Sequence, residues 1–170
     1  FAARQALDDG YDAIKVDPVM FARDGSNRLL ASPAGYFGIM THDQVKMGRD
    51  RLEAMRKEVG PDVDIILEIH SLFGVNSAIQ FARAVEDLGI YYYEEPIHPM
   101  NADNFAKVTD KVNMPVSTGE RSYTRWGYRP LRERKALAVI QPGLCNAGGI
   151  TEGKKICDYA NIYDATVQVH

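Results

Sequence analysis

Short apolar segments alternate with longer amphipathic ones along this chain of 170 residues, and this alternation restricts the fold more than any other feature. Helical patterns are clearest at 43–60 and 77–89 and less regular at 124–135 and 148–163. The strand-like runs are residues 13–19, 64–70, 90–97, 115–120, 137–143 and 165–170. A repeated strand, helix, strand order requires parallel pairing, which leaves a doubly wound open sheet or a (β/α)8 barrel.

Polar residues near the carboxyl ends of the predicted strands favour the barrel. In a strand, residues i and i+2 share a face. By this rule one face carries Lys15, Asp17, Glu68, His70, Glu94, Thr118, Glu120, Gln141, Gln168 and His170. A doubly wound sheet collects its ligand chiefly on loops, and the glycine-rich phosphate loops typical of such sheets are absent.

A complete barrel needs about 250 residues, so six strands indicate part of one. We therefore predict an α/β fold that is a partial (β/α)8 TIM-type barrel, roughly its strands 2 to 7, as one incomplete domain over residues 1–170. The first residue is not Met and the last residues are strand-like, which agrees with segments missing at both ends. The Gly/Ser/Pro-rich segment 21–43 is predicted to be a loop over the barrel mouth.

Composition excludes several functional classes. The chain has 20 Lys and Arg against 23 Asp and Glu without a long run of one sign, which argues against a nucleic-acid or membrane-surface partner. No apolar run approaches the roughly 18 to 20 residues that span a bilayer. Cys145 and Cys157 lack a zinc-ligand spacing and fit a reducing compartment. We expect a cytoplasmic protein with a small-molecule partner.

Three glutamates predict a metal site. Glu68, Glu94 and Glu120 end consecutive strands at intervals of 26 residues, which is one strand–helix unit each. Carboxylates that close together repel, and a hard divalent cation with oxygen ligands, Mg²⁺ or Mn²⁺, keeps them ionised. The alternative is that each glutamate pairs with a nearby Lys or Arg. Glu95 has the opposite parity and is predicted to be a buried structural acid rather than a ligand.

The histidines divide into two groups. His70 and His170 have the inward parity, where an imidazole can reach a substrate bound at the metal. His42 and His98 lie in predicted loops, where a solvated surface histidine is expected. Lys15 and Asp17 share the rim, where they are predicted to contact substrate, although Lys15 equally suits a counter-charge to the acidic residues.

Several motifs together resemble a known family. The segments IKVDP, EIH, YEEP, TGER and IQPGLCNAGGITE, followed by a terminal strand histidine, resemble the barrel domain of the enolase superfamily, mandelate racemase branch. The similarity is greatest to sugar-acid dehydratases of the galactonate type. It implies an additional N-terminal capping domain, first and last barrel strands outside this chain, and a homo-oligomer.

The resemblance also assigns roles to residues. Glu68, Glu94 and Glu120 match the three Mg²⁺ ligands, His170 matches the base on the seventh strand, and His70 matches the acid of the dehydratases. Lys15 matches the first lysine of a KxK motif whose second position is Asp17 here, so that second position offers no lysine base.

Two positions depart from the family pattern. The first ligand is usually Asp and is Glu68 here, one methylene longer. The sixth strand normally carries an Asp that orients the catalytic histidine, and that position is Gly143, followed by Cys145 and Asn146 where Ser and His are common. Without an orienting acid, His170 needs another partner or is not the base.

The predicted activity is that of a Mg²⁺-dependent sugar-acid dehydratase, a carbon–oxygen lyase. It would remove the proton alpha to a carboxylate, form an enediolate and eliminate the beta-hydroxide to give a 2-keto-3-deoxy acid. Two alternatives stay open. One is another divalent-metal barrel enzyme, such as an aldolase or isomerase, and the other is a relative that binds metal and sugar acid without catalysis, which Gly143 favours.

Overall fold

The structure, a computed structural model, describes residues 2–27 and 38–170. Within these ranges the helices are α1 (Ala2–Asp8), α2 (His42–Val59), α3 (Val75–Val85), α4 (Ala102–Thr109), α5 (Thr124–Glu133) and α6 (Gly149–Asn161), with a 3-10 turn at Glu86–Leu88. The strands are β1 (Ala13–Val16), β2 (Asp64–Glu68), β3 (Ile90–Glu94), β4 (Val116–Thr118), β5 (Val139–Ile140) and β6 (Thr166–Val167).

The strands form one parallel sheet in which each strand pairs with the next along the chain, in the order β1 to β6. A doubly wound sheet would reverse its strand order at some point, and this sheet does not. In a (β/α)8 barrel the strands of consecutive units pair in parallel and in chain order, as they do here. The predicted α/β fold is therefore confirmed as a six-stranded parallel fragment consistent with part of a TIM barrel.

Each strand is shorter than predicted, because the last residues of each predicted range belong to the following loop. Strand β1 stops at Val16, and the Asp17 carboxylate then accepts a hydrogen bond of 2.9 Å from the backbone N–H of Val19. Strand β2 stops at Glu68, since His70 and Ser71 adopt positive φ angles of 54° and 61°. The site residues therefore lie near the carboxyl edge of the sheet, some within the strands, as Glu68 and Glu94 do, and others on the loops that follow.

Helix α2 shows how local sequence sets an element's limits. The Thr41 hydroxyl accepts a hydrogen bond from Gln44 N at 3.3 Å, and the Gln44 side chain accepts one from Thr41 N at 2.8 Å. This reciprocal capping satisfies backbone donors that the first helical turn leaves unpaired. The helix ends before Gly60, whose φ of 83° is in the left-handed region that glycine adopts without a steric cost.

Two apolar layers hold the sheet. The larger lies between the outer face, which includes Ile65 and Leu67, and the helices. Within it Gly48 of α2 packs against Phe81 of α3 so closely that a Cβ at position 48 would lie 2.5 Å from the ring. The smaller layer, on the inner face, consists of Ile66, Tyr92 and Val139.

Some predictions concern segments that the structure describes only in part. The loop predicted at 21–43 includes residues 28–37, which lie outside the described residues; before them, Phe21 and Asn27 form an isolated antiparallel bridge. No helix in the described ranges has the length and apolar character needed to cross a bilayer. Cys145 and Cys157 are free thiols.

Candidate metal and active site

The first two predicted ligands lie side by side on the inner face. Glu68 ends β2 and Glu94 ends β3, and the register of the two strands pairs them directly. Glu68 is 3% exposed and Glu94 is 0% exposed. Two carboxyl groups are therefore held together away from water, as the parity of the sequence predicted.

Lys15 supplies the counter-charge to this pair. Its ammonium lies 2.9 Å from Oε1 of Glu94 and 3.6 Å from Oε2 of Glu68. Burial, followed by contact with Glu94, raises the pKa of Glu68 to about 8. Burial acts in the same direction on Glu94, but hydrogen bonds with Glu68, Gln141 and Lys15 outweigh it and lower the pKa of Glu94. The single positive charge of Lys15 thus balances the negative charge of one of the two carboxyl groups, that of Glu94.

The side chain of Glu120 faces the site, but not because of the strand parity that predicted it. Thr118 has the outward parity and donates to Glu95, whereas Ser117 pairs with Glu94 on the inner face. The predicted shared face for Thr118 and Glu120 is therefore wrong. Gly119 between them has φ of 156°, and a Cβ there would lie 2.6 Å from the Gln141 backbone. The backbone change at this glycine redirects the chain, so that Glu120 points to the mouth.

The structure brings together Glu94, Glu120 and His170. One possible ligand atom from each lies within 4.8 Å of the others, and among the described residues no other group of His, Cys, Asp or Glu meets that condition. Glu68 is outside this cluster, on the Lys15 side of Glu94. Of the three predicted carboxylates, those of Glu94 and Glu120 lie in this cluster and that of Glu68 does not.

The donor chemistry fits a hard divalent cation. Oε2 of Glu94 is buried and has no hydrogen-bond partner among the described residues, and the same is true of Oγ of Ser117 and Oε1 of Gln141. Buried oxygens without donors are unfavourable unless a cation or solvent satisfies them. Several carboxylate oxygens with one imidazole suit Mg²⁺ or Mn²⁺.

His70 is anchored by Asp17. Its Nδ1 lies 2.8 Å from Oδ2 of Asp17, and its backbone N–H donates to Oε1 of Glu68 at 2.6 Å. The hydrogen bond to Asp17 raises the pKa of His70, against an opposing effect of burial. A carboxylate on one ring nitrogen fixes the tautomer and leaves the other nitrogen for a substrate.

His170 contacts a carboxylate other than the sixth-strand acid, whose position is occupied by Gly143. Its Nε2 lies 2.7 Å from Oε2 of Glu120, and its backbone N–H donates to Pro142 O. A Cβ at Gly143 would meet the Asn146 side chain at 3.6 Å. The Asn146 amide donates to the backbone carbonyl of Glu120 at 3.0 Å, which fixes the loop that carries this glutamate.

Glu95 is a buried acid, as its parity predicted. It is 0% exposed and accepts hydrogen bonds from Ser71, Thr118 and Arg121. Arg121 also contacts Oε1 of Glu120 through Nη2 at 3.1 Å. Arg121 was not predicted from the sequence, although its position directly after Glu120 in the GER motif was a usable signal.

A cavity of about 420 Å³ opens beside the cluster. Its polar lining is His98, Glu120, Arg121, Tyr123, Asn146 and His170. His98, predicted to be a solvated loop residue, is exposed, but it lies at this cavity. The cavity is large enough for a small polar molecule next to the carboxylates.

The chain is similar to several known proteins. The D-xylonate dehydratase of Haloferax volcanii is 33% identical over 164 residues, which are 95% of this chain and 37% of that protein. A crystal structure of a dehydratase candidate from Salmonella enterica serovar Typhimurium is 62% identical with a TM-score of 0.97, over 99% of this chain and 42% of that one. The 3,6-anhydro-D-galactonate cycloisomerase of Zobellia galactanivorans is 25% identical with a TM-score of 0.82, over 99% and 42% of the two chains.

The chain thus spans about two fifths of the length of these proteins. The family model described as enolase C-terminal domain-like matches residues 1–170, the whole chain. The resemblance noted in the sequence is confirmed, and the chain belongs to the enolase C-terminal domain-like family.

Proposed function

We propose that this chain is part of a Mg²⁺-dependent sugar-acid dehydratase, in which residues 1–170 belong to one barrel domain. The observation that carries the proposal is the placement of two histidines on either side of a row of carboxylates. His70 follows β2 and His170 follows β6, and the carboxylates lie at the ends of β2 and β3 and after β4. A relative named as a sugar-acid dehydratase over almost the whole chain supports the same reaction class.

In this proposal Glu68, Glu94 and Glu120 hold the cation. Each offers oxygen at the carboxyl edge of the sheet, and Glu94 has an oxygen without a partner there. When bound, the cation supplies positive charge to the carboxylate oxygens of the substrate, where negative charge grows as the alpha proton leaves. Mn²⁺ has similar ligand preferences and would substitute for Mg²⁺.

The chain's own residues then move the protons. His170, which lines the cavity beside Glu120, accepts the alpha proton on its imidazole. His70 donates a proton from Nε2 to the beta-hydroxyl group, which leaves as water, while Asp17 holds Nδ1. The electron pair left on the alpha carbon forms a double bond to the beta carbon, and the carbon–oxygen bond breaks with its own pair going to the departing water. The resulting enol tautomerises to a 2-keto-3-deoxy acid. Lys15 contacts the substrate or balances Glu94.

The partner is a small sugar acid rather than a nucleic acid or membrane, and the complete protein is a homo-oligomer, as its family resemblance implies. A cytoplasmic location is supported by the free thiols of Cys145 and Cys157.

The test uses the full-length protein with Mg²⁺ and a panel of aldonic and aldaric acids. Formation of 2-keto-3-deoxy acids is measured together with exchange of the alpha hydrogen for deuterium in D₂O. His170→Asn should lose both activities, and His70→Asn should keep exchange while losing dehydration. Exchange that survives His170→Asn would move the role of base to another residue, with Lys15 first.

A second candidate function is binding of metal and sugar acid without catalysis. Gly143 favours it, because no side chain at that position can orient His170. Cation and sugar-acid binding without hydrogen exchange, over the whole panel, would establish this alternative and overturn the dehydratase. A cyclic or isomerised product would indicate an isomerase.

A further inference from the structure

A buried acid outside the proposed set of ligands is connected to that set. Glu95 has no exposed surface, and three side-chain donors surround its carboxylate: Ser71, Thr118 and Arg121. Neither proton transfer nor cation ligation in the proposed mechanism uses it. A buried carboxylate needs a compensating charge, and Arg121 provides it with Nε at 3.0 Å from Oε2.

Arg121 lies between two carboxylates. Nε faces the fully buried Glu95, and Nη2 lies 3.1 Å from Oε1 of Glu120. The other oxygen of Glu120 faces His170 at 2.7 Å. Because the guanidinium is planar and rigid, anchoring Nε on Glu95 also sets the direction of Nη2. Glu95 thereby determines how Arg121 meets Glu120.

We propose that Glu95 is a positioning residue that, through Arg121, maintains the affinity of the site formed by Glu68, Glu94 and Glu120 for its divalent cation. The inference rests on the proposed function, since it takes Glu120 to be a cation ligand. Glu95 contacts neither cation nor substrate in this proposal, and its expected effect is on cation affinity.

The physical basis is competition between two cations for one carboxylate. With Glu95 charged, Arg121 and Glu95 form a nearly neutral pair, and most of the charge of Glu120 is available to a metal ion. If Glu95 loses its charge, the guanidinium has only Glu120 as an anionic partner and competes with the metal for it. Groups one step removed from metal ligands alter affinity in this way in other sites.

The experiment measures Mn²⁺ affinity of the full-length protein without substrate, by electron paramagnetic resonance and calorimetry. Glu95→Gln keeps the shape of the side chain and removes its charge, and we expect Mn²⁺ binding to weaken about tenfold or more. Glu95→Gln combined with Arg121→Gln removes both charges, and we expect affinity at least equal to that of the wild type. A purely structural role of Glu95 would leave the double variant as weak as the single one.

The matched control is Glu152→Gln. Glu152 pairs with Arg125 at 2.9 Å, so the same change neutralises a glutamate in another Glu–Arg pair that lies outside the cluster and the cavity. Its Mn²⁺ affinity should equal that of the wild type. If Glu95→Gln does not fold, Glu95→Asp replaces it, since the shorter side chain holds Arg121 less firmly and should weaken binding about threefold.

The outcomes separate this inference from the proposed function. Wild-type binding together with unchanged affinity in the folded Glu95 variant would overturn the inference and leave the dehydratase proposal intact. Failure of the double variant to recover would also overturn it. Absence of Mn²⁺ binding by the wild-type protein would overturn both.

Discussion

Nδ1 of His70 lies 2.8 Å from Oδ2 of Asp17, although the two residues are 53 positions apart in the chain. The pair joins the loop after β1 to the loop after β2. It gives His70 a fixed tautomer and a raised pKa at the edge of the carboxylate cluster. The sequence predicted both residues on the rim but did not predict that they contact each other.

Asp17→Asn should therefore impair the acid step. The amide cannot stabilise a protonated His70 as a carboxylate does, and we expect dehydration to slow about 100-fold. Exchange of the alpha hydrogen, which requires no acid at His70, should continue at close to the wild-type rate. The control is Asp24→Asn in an exposed turn, where Asp24 accepts from Ser26. Equal losses of exchange and dehydration would argue against separate roles.

Gly143→Asp tests whether His170 lacks an orienting acid. A Cβ at position 143 meets nothing closer than the Asn146 side chain at 3.6 Å, so the backbone accepts a side chain there. We expect the rate of alpha-hydrogen exchange to rise about tenfold as the carboxylate orients the imidazole. The gain should vanish when His170→Asn is added, and a gain that persists would show that His170 is not the base.

Substitution of single residues should show which set of three residues binds the cation. One set is Glu68, Glu94 and Glu120, and in the other His170 replaces Glu68. If the three glutamates bind the cation, Glu68→Gln weakens Mn²⁺ binding by at least about tenfold while His170→Asn leaves it nearly unchanged. We expect this result. The opposite result, a loss in His170→Asn and none in Glu68→Gln, would select the cluster of Glu94, Glu120 and His170. Calorimetric titration of the full-length variants measures both.

Cation binding should also stabilise the fold. A ligand that binds only the folded state at 100 times its dissociation constant adds about 2.7 kcal/mol to the free energy of unfolding. Mg²⁺ at that concentration should raise the melting temperature of the full-length protein, and a chelator should reverse the rise. Glu94→Gln should remove the response. A full response in this variant would exclude Glu94 as a ligand.

Gly48→Ala should destabilise the protein although alanine favours helices. The added Cβ would lie 2.5 Å from the ring of Phe81, and overpacking of this kind costs about 1–3 kcal/mol. At Gly127 in α5 the nearest atom to an added Cβ is 3.6 Å away. Gly127→Ala should therefore be neutral or stabilising by up to about 1 kcal/mol. Urea unfolding compares the two, and equal effects would contradict the packing argument.

The order and type of the elements could be predicted from the sequence because they depend on local pattern. The alternation of apolar and amphipathic segments predicted six parallel strands, and the structure contains them. Parity also predicted that Glu94 faces inward and that Glu95 is buried on the other side. A side chain's face follows from its position as long as the strand is regular.

Where the strand is irregular, only the tertiary structure decided the site. Thr118 and Glu120 have the same parity, yet their side chains face opposite sides of the sheet, because the backbone changes direction at Gly119. Gly119 packs closely against the backbone of Gln141, and this contact cannot be read from the local sequence. The contacts of His70 with Asp17, of His170 with Glu120, and of Arg121 with Glu95 likewise join residues that different loops bring together. Local periodicity determined which residues could face the mouth, and contacts between loops determined which of them meet.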